Sequence, residues 1–269
     1  MNDEDIEVGC DYHDINSFNQ LNTQNKDNIC FFHVNIRSLR KNIEKLCMIL
    51  ADLQVSPQII ALSETKSNKK QGVNFSTTSE GYNILHSDSD TVAGWVGIYI
   101  NNSLSYQLRN DLPTTFGNSK SLWIEICICN KKGVIGVINR HTMIFSNNIQ
   151  SFTHNLSETL HYLSNSKLPF LICGDININL LQQDTALSVS NYVNTYNSYN
   201  CLELITKPTR VTTTSSTLID HIYTKLRAIK LTSGMIYLIT CLCLSQPNQK
   251  SLKNGIWKAA TGMITLIFM

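Results

Sequence analysis

The sequence predicts a layered α/β domain, on three observations. Short apolar runs bounded by Gly, Asn or Lys recur along most of the chain and read as strands. Between the first two of them, Leu39, Ile43, Leu46, Met48, Ile49, Leu50 and Leu53 keep the spacing of an amphipathic helix. Two of the apolar runs, Ile59 to Ala61 and Leu168 to Ile172, lead into the acids Glu64 and Asp175, so each carboxylate stands at the end of a buried strand. Strands mixed with a few helices and joined by long polar loops suit sheets covered by helices, with the loops of one edge building a site.

The elements follow in order. Residues 1–27 are rich in Asn, Asp and Gln without a sustained period, which predicts a polar flexible leader, and the acidic start Met1-Asn2-Asp3-Glu4-Asp5 is the reverse of a signal peptide. Order is expected from Asn28. Ile29 to Val34 reads as a strand, Leu39 to Leu53 as the helix, and the run to Leu62 as the next strand. Beyond the polar stretch Lys66 to Glu80, strands are expected at Tyr82 to Leu85, Val96 to Ile100, Leu122 to Ile128 and Gly133 to Ile138. Ile149 to Leu163 predicts a second helix, and Phe170 to Cys173 the buried strand after it. Gln182 to Asn200 is expected to hold another helix, followed by a hydroxyl-rich loop, Val211 to Ser216, and a strand, Leu218 to Tyr223. No internal repeat is visible.

With 269 residues, 42% of them apolar, the chain can bury a substantial core, and one principal domain over residues 28–237 is expected. A net charge of +2 is too mild to point to a polynucleotide or to exclude one, because phosphate binding needs a local basic surface. The nine cysteines include no Cys-x-x-Cys and the histidines no His-x-x-x-His, which excludes the common zinc patterns. Free thiols fit a reducing compartment, hence an intracellular protein of nucleus or cytoplasm. No membrane association is expected: no apolar run reaches the roughly 20 residues a helix needs to span a bilayer.

Four blocks carry the chemistry: Asn35 in His33-Val34-Asn35-Ile36-Arg37-Ser38-Leu39, Glu64 in Leu62-Ser63-Glu64-Thr65, the run Gly174-Asp175-Ile176-Asn177, and Asp220 in Ile219-Asp220-His221-Ile222. Their order and spacing resemble the endonuclease/exonuclease/phosphatase superfamily, and within it the apurinic-like endonuclease domain of non-LTR retrotransposons, of which this chain looks like a degenerate copy. The resemblance implies a four-layer sandwich of two mixed β-sheets flanked by helices, cutting DNA phosphodiester bonds with Mg²⁺ or Mn²⁺. It also implies DNA as partner and an original fusion to a reverse transcriptase domain absent here. A hard cation prefers oxygen ligands and keeps several waters, so Glu64 with Asn35 beside it would hold the metal. By the same resemblance Asp175 activates the attacking water, Asn177 bonds the phosphate or that water, and Asp220 completes the catalytic set. Arg37, Arg140 and Asn139 are the expected substrate contacts. His221, next to Asp220 on a strand, points to the opposite face and is not counted among the catalysts.

The chain departs from the family pattern in two places. Relatives carry Tyr-Arg where this chain reads Asn139-Arg140, and an asparagine cannot supply the phenol hydroxyl. Family domains close with Ser-Asp-His before an apolar strand, whereas no histidine follows His221 here. Losing one such preorganised donor lowers turnover by about 10²–10³. Tyr237 to Ser245, written TAT CTG ATC ACT TGC CTG TGT TTG TCA, reads Ser-Asp-His-Leu-Pro-Val-Phe-Val when shifted to the last base of the first codon. Residues 238–269 are therefore expected to be an atypical, frame-shifted tail, with the last core strand lost and a sheet edge exposed. Besides a weakened endonuclease, two readings stay open: a non-catalytic nucleic-acid-binding relic, and a phosphoesterase acting on a small molecule or lipid.

Overall fold

Phe31 and Phe32 are consecutive, both fully buried, and belong to different hydrophobic layers. Successive side chains on a strand point to opposite faces, so two adjacent buried aromatics require apolar layers on both sides of the sheet. The computed structural model describes residues 9–21, 30–66, 81–87, 95–117, 119–128, 131–141, 148–225, 238–243 and 264–268. In chain order they form β1 (Gly9–His13), α1 (Ile15–Leu21), β2 (Cys30–Asn35), α2 (Leu39–Asp52), β3 (Ile59–Ser63), β4 (Tyr82–His86) and β5 (Val96–Asn101). Then come β6 (Ser105–Leu108), β7 (Thr115–Phe116), β8 (Ser119–Ile128), β9 (Lys131–Asn139), α3 (Ile149–Asn165), β10 (Phe170–Asp175) and α4 (Leu187–Ser198). The remainder is β11 (Leu202–Glu203), β12 (Arg210–Val211), β13 (Ser216–Thr217), β14 (Asp220–Lys225), β15 (Leu238–Cys243) and β16 (Ile264–Phe268).

Two mixed sheets face each other. The first has the order β1-β16-β15-β2-β3-β5-β4, the second β11-β14-β10-β9-β8-β6, with β7 added to β8. Between them pack Phe31, Ile59, Ala61, Val96 and Ile98 from the first sheet against Ile124, Val137 and Cys173 from the second. On the outer face of the first sheet, Phe32, Val34, Ile60 and Leu62 meet Phe18 of α1 and Leu39, Ile43 and Leu46 of α2. On the outer face of the second, Phe152, Leu156 and Leu160 of α3 and Tyr192 and Tyr196 of α4 cover Ile172 and Tyr223. The result is helices, sheet, sheet, helices, the architecture expected from the sequence.

Along the strands, the layer between the sheets changes character. On β2 the inward positions run Phe31, His33, Asn35; on β3, Ile59, Ala61, Ser63; on β9, Val137, Asn139; on β10, Cys173, Asp175. Each strand is apolar at one end and polar at the other, so one end of the sandwich is a greasy core and the opposite end a lined cleft. His33 and Ser63, both fully buried, mark the change by a 3.1 Å hydrogen bond between Nε2 and Oγ.

Two segments take places that local patterns did not show. Within residues 1–27, β1 pairs antiparallel with β16, and Phe18 of α1 is fully buried, with its ring edge-on to Phe32 at 6.0 Å. Local sequence could not show this, since the partner of β1 lies at the far end of the chain and α1 carries one anchor in place of a periodic stripe. The slot beside β2, where the loss of a strand was expected, holds β15, parallel from Leu238↔Cys30 to Cys243↔Asn35, and β16 and β1 continue the sheet beyond it. Main-chain pairing is blind to side-chain identity, so an apolar, β-branched stretch such as Leu238-Ile239-Thr240 fills the slot without the family motif. Val211 to Ser216, expected as a loop, is the tip of the β12–β13 hairpin. No described helix is long and apolar enough to cross a membrane.

Candidate functional site

The polar end of the sandwich collects the loops that follow β2, β3 and β10. Of the seven non-glycine residues with positive φ among the described ones, five stand here: Arg37, Ser38, Glu64, Lys66 and Asn177. Left-handed backbone at such residues is costly and persists only where surrounding bonds fix it. Those bonds are present. Ser38 N and Leu39 N donate to the carbonyls of Glu64 and Thr65, which stitches the β2–α2 loop to the loop after β3, and Thr65 N donates to the carbonyl of the buried Trp95. Trp95 thus braces the turn that carries Glu64.

Three of the sequence-predicted residues meet. Asn35 Nδ2 donates to Asp175 Oδ2 at 2.6 Å and lies 3.5 Å from Glu64 Oε1. Glu64 is half-buried and pairs with Lys66 at 3.4 Å. Asp175 is 1% exposed, and burial, then the charges of Asp220 and Glu64, push its carboxyl well above the usual carboxylate range. Partial burial also pushes Glu64 up, but its hydrogen bond with Asp175 and the charge of Lys66 outweigh this, and its carboxyl falls below the ordinary value. The two carboxyls are therefore pushed in opposite directions, Asp175 up and Glu64 down.

Part of the site's oxygen lining has no donor. Asn35 Oδ1 and Asp175 Oδ1 are buried and accept no hydrogen bond. Buried acceptors without donors are uncommon. Two acids and an amide oxygen, two of whose oxygens lack a partner, fit a hard divalent cation that keeps several waters. Among the described residues no three His, Cys, Asp or Glu side chains group as a metal site, so the oxygen set depends on the asparagine.

The other predicted residues take different places. Asp220 sits opposite Asp175 in the β10–β14 ladder, buried, with its main-chain N–H donating to Thr209 Oγ1 at 3.2 Å. Asn177 uses one amide proton on the Arg140 carbonyl at 2.8 Å. Arg140 is turned inward: it is 4% exposed, its Nη1 donates to the carbonyls of Ile176 and Asn177, and its guanidinium lies 5.8 Å from the Phe152 ring centre. It holds the Gly174-Asp175-Ile176-Asn177 turn from the α3 side, because the second sheet turns alternate side chains outward. Asn139 falls on the inner face, 1% exposed, with Nδ2 unpaired. Arg37 stays half-buried in its left-handed turn. His221 is buried beneath α4, bonded to Tyr192 Oη at 2.9 Å and to the Ile178 carbonyl at 2.9 Å, and burial holds its imidazole down at about 4. It is a structural residue, as its neighbour position implied.

Gly174 explains why the motif begins with glycine. Its φ is +149°, and a Cβ there would overlap the Ile138 carbonyl, so only glycine lets β10 lie against β9 just before Asp175.

By sequence, no family model and no curated protein matches the chain. Solved structures do match. An AP endonuclease of Leishmania major is 12% identical, with 88% of this chain and 86% of that one covered at a TM-score of 0.58. The endonuclease domain of TRAS1, a telomere-specific non-LTR retrotransposon, is 10% identical over 88% and 95%, at 0.55. An endonuclease/exonuclease/phosphatase family protein from Bacteroides thetaiotaomicron is 11% identical over 88% and 92%, at 0.53. The chain has the endonuclease/exonuclease/phosphatase fold. Within this fold, reasoning from sequence missed two residues at the site: Thr209, which anchors Asp220, and Lys120, the cross-strand partner of Asn139. Neither belongs to a motif; Lys120 becomes visible only through the register of β8 on β9.

Proposed function

We propose that the chain is a retrotransposon-derived, divalent-metal-dependent DNA endonuclease, weakened by the absence of the closing histidine. The observation that carries this reading is the meeting of Asn35, Glu64 and Asp175, with two buried oxygens left without donors. A bound Mg²⁺ or Mn²⁺ would supply Lewis-acid polarisation of the phosphate. Glu64 and Asn35 would hold it. Asp175 Oδ1 is the base: a carboxyl lifted above its ordinary range is a better proton acceptor near neutrality than a free aspartate. Its Oδ2, fixed by the Asn35 amide, sets the direction in which Oδ1 faces the water. Asn177, held by Arg140, presents its remaining amide proton to the phosphate. The same reading takes double-stranded DNA as partner and a reverse transcriptase as the module once joined to it.

Nicking of supercoiled plasmid in Mg²⁺, compared with Glu64→Ala and Asp175→Ala, tests this. Loss of nicking in both variants supports the endonuclease. The substitution of Asn139 for the family's tyrosine favours a second reading, a nucleic-acid-binding relic, which DNA binding without nicking would support. Hydrolysis of a phosphoinositide but not of DNA would overturn both.

A further inference from the structure

One rung crosses the second sheet at the cleft end: Lys120 on β8 pairs with Asn139 on β9, and Asp175 on β10 pairs with Asp220 on β14. The two pairs join, because Arg140 N donates to the Asp175 carbonyl at 2.9 Å, in line with the parallel register Cys173↔Val137 two residues earlier. All four belong to one face. The opposite face of β9, at Gly136, is covered by the Trp123 ring, which packs with Phe116, itself in contact with Phe152 of α3. Val137 and Asn139 therefore point toward the first sheet, and cross-strand partners share a side, so Lys120 points there too.

The rung is electrically split. Its β10–β14 half carries two acids, and its β8–β9 half carries an ammonium and an amide nitrogen for which no partner stands among the described residues. Lys120 is half-buried and forms no ion pair among the described residues, and Asn139 Nδ2 is a buried donor with no acceptor. A buried unpaired donor beside an unpaired cation calls for an oxygen-bearing anion. Resting on the endonuclease reading, we infer that Lys120, with Asn139 beside it, is a phosphate-holding pair that supplies positive potential on the side of the cleft away from the acids, a task the missing histidine leaves open. Adjacent strands lie about 4.8 Å apart, so Lys120 stands roughly 10 Å from Asp175 along the rung, a span that one backbone phosphate and its cation fill. A lysine suits this place, as a compact charge on a four-carbon stem that follows a phosphate without demanding a bidentate fit.

The experiment uses the full chain and a short fluorescein-labelled DNA duplex in EDTA, with affinity read by anisotropy over a range of salt. Lys120→Met is expected to flatten the slope of log K against log salt by about 0.9, the share of one phosphate. Lys132→Met, at the other end of the same β8–β9 hairpin, is expected to leave it unchanged. In Mg²⁺, Lys120→Met and Asn139→Leu are expected to slow nicking about 10²-fold, as loss of one donor to developing charge does. An unchanged salt slope in Lys120→Met overturns the inference, while nicking that still depends on Asp175 keeps the endonuclease reading. A wild-type chain that neither binds nor nicks DNA overturns both. Circular dichroism of each variant separates loss of function from loss of fold.

Discussion

Asn35 Nδ2 lies 2.6 Å from Asp175 Oδ2, across the gap between the two sheets and 140 positions apart in the chain. This single contact joins the strand end of β2 to that of β10. It also ties the candidate cation ligand to the candidate base, so the chemistry of one depends on the position of the other.

Asp175→Asn should separate stability from activity. Burial and the nearby charges of Asp220 and Glu64 hold this carboxyl well above the usual carboxylate range, so its charged form is disfavoured. An amide of the same shape adds no unpaired charge, so the melting temperature is expected to stay or rise. Nicking should fall by about 10²–10⁴, the contribution of a positioned base. A thermal melt and a plasmid assay on the same preparation check both halves, and a large fall in melting temperature would count against a burial penalty on the charged carboxyl.

Glu203 gives a pH signature away from the cleft. Burial pushes its carboxyl up to about 7 against the usual 4.5, although Tyr223 Oη donates to Oε2 at 3.2 Å. The folded chain therefore binds the proton more tightly than the unfolded one. Its stabilising share is complete below pH 4.5 and fades as pH rises through 7, by about 3 kcal/mol at most. Denaturant midpoints measured from pH 4.5 to 8 should fall in the wild type and fall less in Glu203→Gln; parallel curves would refute this.

Gly136→Ala should destabilise the second sheet. A Cβ at that position runs into the Trp123 ring, which is itself held between Phe116 and a hydrogen bond from Nε1 to the Pro113 carbonyl at 2.7 Å. Overpacking of this kind costs about 1–3 kcal/mol. Urea unfolding would show a lower midpoint with the same slope.

Phe18→Ala tests the role of the N-terminal segment. The ring is fully buried against Phe32, so its removal leaves a cavity, and the loss should be about 3–5 kcal/mol. Were residues 9–21 dispensable to the fold, the variant would melt like the wild type.

Much of the architecture was readable in the residues. The alternation on β2 and β3, the helical spacing of Leu39 to Leu53, and the carboxylates at strand ends each reflect a local rule, that of which face is buried and where a strand stops. Asn35, Glu64 and Asp175 were legible because each ends or just follows an apolar run. The inward turn of Arg140 was not legible for the opposite reason: a charged residue after a strand reads as surface, and only its carbonyl partners on Ile176 and Asn177 show where it points.

By itself the sequence determined the two layers of core, the glycine before Asp175 and the absence of a histidine after His221, because periodicity, backbone tolerance and residue identity are properties of the chain alone. Only the tertiary structure decided that β1 closes on β16, that β15 fills the slot beside β2, and that Lys120 shares a rung with Asn139, Asp175 and Asp220. Strand order and register are long-range choices, settled by how two whole sheets pack, and no local pattern encodes them.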